Sequence, residues 1–172
     1  ALRGLGAFGN VLAIESFMNE LAFTANIDPL IFRLNHLDDN RAKEVLINLK
    51  SQMDKSILKK NNARGIAFAR YKNSAAYCAV GIEINISDDA EINLINSWIS
   101  VDAGEIVYPE GVNSQLEGGL IQAASWTIYE QVEYDTRSIL SKDWDEYKII
   151  GFNNIPKINV SIIERIGDPF LG

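Results

Sequence analysis

Two glycine-rich stretches carry the residues most able to do chemistry. The first, Gly4-Leu5-Gly6-Ala7-Phe8-Gly9, spells G-x-G-x-x-G with Arg3 directly ahead of it. A glycine loop that feeds a helix N-terminus offers bare amides to an anion, and a guanidinium at its head adds a rigid donor fork. A dinucleotide site would also need a strand before the loop and an acidic residue closing the next strand. Almost no chain precedes this run, and the helix it opens leads to another helix at Asp28-Pro29, which argues against a dinucleotide fold. The second stretch runs Ser114-Gln115-Leu116-Glu117-Gly118-Gly119. Ser114-x-x-Glu117 reads as a capping box, and Leu116, Leu120, Ala124 and Ile128 repeat every four residues, as one packed helix side requires. Glycines in a helix cost about 1 kcal/mol each relative to alanine. The pair therefore implies close approach to the backbone, either by the sheet or by a ligand at the helix N-terminus with the Gln115 amide beside it.

Other reactive side chains point to structural roles. His36 ends a short helix, where the dipole favours a cation, and no Ser or Cys partner is near it in the sequence. Cys78 falls on the apolar phase of a strand and reads as a core residue. Glu15 and Glu20 flank an apolar helix as surface or capping carboxylates, and Trp98, Trp126 and Trp144 read as core or interface fillers. With one His and one Cys, a zinc or iron–sulfur site ligated by this chain is disfavoured, as is an internal disulfide. A net charge of -7 disfavours nucleic-acid binding, and the cluster Lys50, Lys55, Lys59, Lys60 reads as a solvated helix end.

The elements that must position these residues follow from periodicity. Asn10 is expected to cap a helix with Val11, Ile14, Phe17, Met18 and Leu21 on one buried stripe. Asp28-Pro29 starts a second, short helix. A third begins near Asp39 and carries Ala42, Val45, Leu46 and Leu49. Lys59-Lys60-Asn61-Asn62 reads as a linker. Gly65–Tyr71 is a strand, and Ala76, Cys78, Val80, Ile82, Ile84 and Ile86 form the expected buried face of another. After a turn at Asp88-Asp89-Ala90, Glu91–Val101 returns, with a phase slip between Leu94 and Ile95 that points to a bulge or to burial on both faces. A helix from Ser114 to about Tyr134 and strands over Tyr147–Phe152 and Ile158–Arg165 complete the chain. This is an α+β arrangement with a mixed, largely antiparallel sheet and flanking helices. At 172 residues, one domain over 1–172 is expected, helical over 1–60 with sheet and long helix over 61–172. A hydrophobic content of 47% and no membrane-length apolar run place it among ordinary globular chains.

Taken together, the motifs resemble the large subunit of molybdenum hydroxylases, the xanthine dehydrogenase/aldehyde oxidase family. Arg3-Gly4-Leu5-Gly6, then Glu15-Ser16-Phe17-Met18-Asn19-Glu20-Leu21-Ala22, then Asp28-Pro29 through Arg33 follow its R-G-x-G, E-S-x-x-D-E-L-A and D-P-x-x-x-R segments. Val101-Asp102-Ala103-Gly104, Pro109 and Gln115-Leu116-Glu117-Gly118-Gly119 follow its V-D-x-G, N-P and Q-x-E-G-G signature. Asp168-Pro169-Phe170-Leu171-Gly172 resembles the approach to its G-x-G-E motif. The order and spacing are nearest the isoquinoline 1-oxidoreductase beta-subunit type of bacterial enzyme.

The resemblance implies a molybdenum-cofactor-binding domain whose parent hydroxylates an aldehyde or N-heterocycle with oxygen from water. It implies a molybdopterin cofactor, in bacteria often the cytosine dinucleotide, and [2Fe-2S] clusters on a small partner subunit. Arg3, Gly4 and Gln115 match cofactor-binding positions, and Leu5 matches a substrate-pocket position that is usually aromatic or proline. Two other departures, Asn19 for Asp and Tyr108 for Asn, bear on structure. The catalytic glutamate of G-x-G-E is expected beyond Gly172, and the G-Q-G cofactor loop in a preceding part. The chain is therefore expected to be a C-terminal piece of the large subunit, inactive alone, without bound cofactor or metal. With its partner-facing surface bare, it is expected to self-associate. The compartment stays open between cytoplasm and periplasm of a bacterium. The competing reading is a non-catalytic binding or scaffold domain that shares the fold.

Overall fold

The computed structural model describes residues 4–172. Three helices come first: α1 Ala7–Thr24, α2 Pro29–Asn35 and α3 Asn40–Met53. Strands β1 Asn62–Arg70, β2 Tyr77–Ile86 and β3 Ile92–Asp102 follow, then helix α4 Pro109–Ile128 and strand β4 Lys157–Ile162. The sheet runs in the order β1-β2-β3-β4. The first three strands pair antiparallel, and β4 lies parallel to β3. A parallel neighbour needs a long crossover, which α4 and residues 129–156 supply. The α+β, mixed-sheet expectation holds.

Local chemistry sets α2 and α3. Asp28 Oδ1 accepts from the amides of Leu30 and Ile31, both at 3.0 Å, with Pro29 in the first helical position. Asp39 Oδ1 does the same for Arg41 and Ala42. Carboxylates at these positions satisfy amides that the helix itself leaves unpaired. On α3 the three-four spacing puts Ala42, Val45, Leu46, Leu49 and Met53 on one face, and that face meets Tyr77, Ala79 and Trp98 of the sheet as the main core. The bulge is present: Glu83 pairs with Asn96 while Ile84 pairs with Leu94, so Ile95 is the extra residue.

Several element boundaries differ from expectation, among them β4, which ends at Ile162 and not Arg165. Gly6, not Asn10, sits at the N-cap of α1, without a side-chain hydrogen bond. Asn62, expected in a linker, begins β1. Helix α4 starts at Pro109 and ends at Ile128, so Ser114 and Glu117 lie inside it and form no capping box. Proline in the first turn, with its preset φ, nucleates the helix earlier than the serine would. Tyr147–Phe152 is not a strand; a short 3-10 turn, Phe152–Asn154, lies there instead. Trp98 is in the core, but Trp144 is 75% exposed.

Two faces also differ. On β2 the tightly buried residues are Tyr77, Ala79, Gly81 and Glu83, while Cys78, Val80, Ile82 and Ile84 are half-buried and Ile86 is exposed. The small residues explain this: a Cβ on Gly81 would lie 2.5 Å from Met53 Sδ, so their side is the one α3 can approach. On α1 the expected stripe is not buried; Ile14 and Phe17 are 60% and 58% exposed, and Glu15 and Ala22 are buried instead. Glu15 is thus not a surface carboxylate. Its Oε2 accepts from buried Arg33 Nε at 2.9 Å and from the Phe68 amide at 2.8 Å. Phe68 lies on edge strand β1, so α1 is turned by the need to neutralise Arg33 and to cap a strand edge.

Candidate cofactor site

Gln115 sits on the second turn of α4, and that helix begins where Tyr108 folds its ring over Gly111. A Cβ on Gly111 would lie 2.4 Å from the Tyr108 ring, so glycine permits this start. Gln115 is exposed, and among the described residues nothing hydrogen-bonds its amide. It borders a cleft of about 590 Å³ whose other walls include Ala103, Glu105, Tyr108, Phe170 and Gly172. One turn on, a Cβ on Gly118 or Gly119 would meet nothing within 4 Å. Close packing against the sheet therefore does not require either glycine: Gly119 faces the cleft over β2 and β3, and Gly118 faces the other side, toward Ile149 and Phe152. Beneath α4 the aliphatic face of β2 and β3 lines a second, apolar cleft of about 510 Å³, with Cys78 among its walls. Burial pushes the Cys78 thiol up to about 11, which keeps it protonated and inert at neutral pH.

The first glycine run forms a tight turn. Gly4 and Leu5 both have left-handed backbone, φ 84 and 43, and the Ala7 amide donates to Gly4 O at 2.9 Å. Leucine seldom adopts such a φ, and its side chain is 73% exposed. Arg3 lies outside the described residues. Phe8 meets Trp126 edge-on at 5.7 Å, which sets the head of α1 beside the C-terminal half of α4. Gln115 and Trp126 are eleven residues apart, about 16 Å along the helix axis. No contact within this chain draws the Gly4-Leu5 turn and Gln115 together among the described residues. A dinucleotide fold is excluded by the antiparallel β1, β2 and β3, which also come after α1.

The wall opposite Gln115 rests on a charged node that periodicity does not reveal. Asp102, at the end of β3, is fully buried. Its Oδ1 accepts from Arg41 Nη2 at 2.7 Å and the Gly104 amide at 3.1 Å. Its Oδ2 accepts from Arg41 Nε at 3.0 Å and Arg165 Nε at 2.9 Å. Burial alone would raise the Asp102 carboxyl, but hydrogen bonds from Arg41, Gly104 and Arg165 hold it below the usual range. Gly104 has φ 72, and a Cβ there would stand 2.0 Å from Pro169 O. Gly104→Ala is expected to cost about 2–4 kcal/mol, combining a left-handed alanine with overpacking. Urea unfolding measures it; a midpoint within error of the parent would contradict the contact. A lone acidic residue ending an apolar strand and followed within two residues by glycine was the available signal for this node. His36 caps α2, its Nδ1 bonded to Phe32 O at 2.7 Å, in the structural role expected.

The sequence profile of the molybdopterin cofactor-binding domain matches residues 38–156. The chain belongs to that family. This molybdopterin cofactor-binding domain is 33% identical to a nicotinate dehydrogenase subunit of Pseudomonas putida, over 99% of the chain and 16% of the relative. It is 26% identical to the beta subunit of isoquinoline 1-oxidoreductase from Brevundimonas diminuta, over 95% of the chain and 21% of the relative. The chain thus spans about a fifth or less of the length of these curated relatives. Among solved structures, it superposes on quinoline 2-oxidoreductase from Pseudomonas putida 86 with a TM-score of 0.50, at 23% identity over 52% of the chain and 12% of that structure. The Cu,Mo-CO dehydrogenase gives a TM-score of 0.51, at 18% identity over 56% of the chain and 13% of that structure. These likenesses show a shared fold.

Proposed function

We propose that this chain forms one wall of the molybdopterin site of a molybdenum-dependent hydroxylase or dehydrogenase. The observation that carries the reading is the exposed Gln115 amide on α4, at the cleft bordered by Phe170 and Gly172. A primary amide offers two donors and an acceptor, which suits the polar edge of a pterin. Gly4 and Arg3 supply amide and guanidinium donors to the same cofactor, and Leu5 projects toward the substrate space. The cofactor, when bound, supplies oxygen transfer from water and takes up the electrons of the oxidation. The chain's own residues bind and orient it, while the Phe170 side of the cleft excludes water.

In this reading the substrate is an aldehyde or N-heterocycle, the cofactor is carried as its cytosine dinucleotide, and electrons leave to a small [2Fe-2S] subunit. The catalytic base lies on the G-x-G-E motif outside this sequence, the cofactor's second glycine loop lies in another part of the large subunit, and the isolated chain is inactive. The exposed apolar residues of α1, with Phe8, Leu12 and Phe17 among them, are then covered by the rest of the large subunit, and an isolated chain self-associates through them.

Metal and pterin analysis of the full-length gene product, purified with its small subunit, tests the proposal. Stoichiometric molybdenum and pterin are expected. Their absence would leave a scaffold domain of the same fold. Gln115→Ala is expected to weaken pterin retention roughly tenfold, the loss of about one well-placed hydrogen bond. Retention equal to the parent's would remove Gln115 from the site.

A further inference from the structure

Arg165 stands where β4 hands over to the segment that walls the cleft. Its Nε donates to Asp102 Oδ2 at 2.9 Å, and its Nη2 donates to Glu44 on α3. Asp102 already has a full counter-charge in Arg41, which grips it with two nitrogens. Neutralising Asp102 therefore does not require Arg165; what the second guanidinium adds is a tie between β3, α3 and the chain that follows. That chain is laced rung by rung to the end of β3. The Ile163 amide donates to Val101 O at 2.8 Å, the Gly167 amide to Glu105 Oε2 at 3.0 Å, the Glu105 amide to Pro169 O at 3.3 Å, and the Leu171 amide to Ala103 O at 2.9 Å. Gly104 and Phe170 form an isolated bridge within this ladder.

We infer that Arg165 is a positioning residue: by spanning Asp102 and Glu44 it fixes Gly167–Gly172 against Ala103–Glu105. Through Phe170 and Gly172 it thereby sets the width of the cleft facing Gln115. A short irregular ladder opens readily by itself, because each of its rungs fixes backbone for a single hydrogen bond, so a charged anchor at one end controls how often it opens. The tie itself stands on the contacts above; its meaning for cofactor binding rests on the reading of the cleft as a pterin wall.

Arg165→Met in the full-length gene product tests this by amide hydrogen exchange, with pterin content measured on the same preparation. The Leu171 and Glu105 amides are expected to exchange about tenfold faster or more, while Leu46 and Leu49 in α3 keep the parent's rates and pterin content falls. Unchanged exchange at Leu171 and Glu105 would overturn the inference. Faster exchange there with unchanged pterin content would uphold the tie and overturn the cleft as a pterin wall. If the methionine variant fails to fold, Arg165→Lys serves, since it keeps a positive charge beside Asp102 but cannot fork across both carboxylates. Faster Leu171 exchange in it upholds the tie, and the parent's rate overturns it.

Discussion

Asp102→Asn is expected to destabilise the protein by about 3–5 kcal/mol, with the urea midpoint falling and the m-value unchanged. The replacement is nearly isosteric, so packing is preserved and the amide oxygen still accepts from Gly104. What disappears is the negative charge between Arg41 and Arg165. Those guanidinium groups are 25% and 22% exposed, so water reaches part of each and the lower end of the range is expected. The pH dependence supplies a second check. A carboxylate held below its unfolded pKa contributes stability that is present above about pH 4 and is lost as pH falls through the folded value. The parent should therefore lose stability on acidification below about pH 4, and the asparagine variant should lose less over the same window. Glu83 is depressed in the same direction, so the acid step shrinks without vanishing. A variant whose midpoint and acid profile both match the parent's would show that Asp102 is not the anchor of this corner.

Glu83→Ala is expected to cost a similar amount, about 3–5 kcal/mol, for a different structural reason. Glu83 is 2% exposed on the α3 face of β2. Its oxygens accept from Asn62 Nδ2 at 2.6 Å and from Arg64 Nε at 2.8 Å. Burial would raise its carboxyl, but these hydrogen bonds hold it below the ordinary range. Arg64 lies 4.9 Å from the Trp98 ring and donates to Met53 O and Ser56 O, so it fastens the end of α3 to the sheet. Alanine leaves that guanidinium, 15% exposed, without its counter-charge and opens a void beside it. At about 2–4 °C per kcal/mol for a chain of this size, the melting temperature should fall by on the order of 10 °C. Intrinsic tryptophan fluorescence follows the transition. A loss under about 1 kcal/mol would mean that water replaces the carboxylate at no cost.

Both residues were invisible to periodicity for the same reason. A pattern of alternating apolar and polar residues on β2 identifies the more hydrophobic face, not the one that α3 covers most tightly. The covered face holds Tyr77, Ala79, Gly81 and Glu83, because small residues admit α3 and an arginine across the strand neutralises the acid. On α1 the spacing of Ile14, Phe17 and Leu21 describes a stripe that this chain leaves exposed, while Glu15 turns inward to Arg33. Such ion pairs join residues far apart in sequence, and no local window contains both partners.

The amino-acid order by itself determined what local chemistry can determine. Asp28-Pro29 and Asp39 start α2 and α3 because their carboxylates satisfy amides two and three residues on. The bulge at Ile95 follows from a phase slip along one strand, and the family follows from an ordered series of motifs that the profile match supports. Tertiary structure alone decided which sheet face is packed most tightly, and that Asp102 gathers Arg41 and Arg165 beneath the cleft of Gln115. Those outcomes depend on which distant charge or helix reaches a given residue, since burying a carboxylate is favourable only where a partner arrives with it.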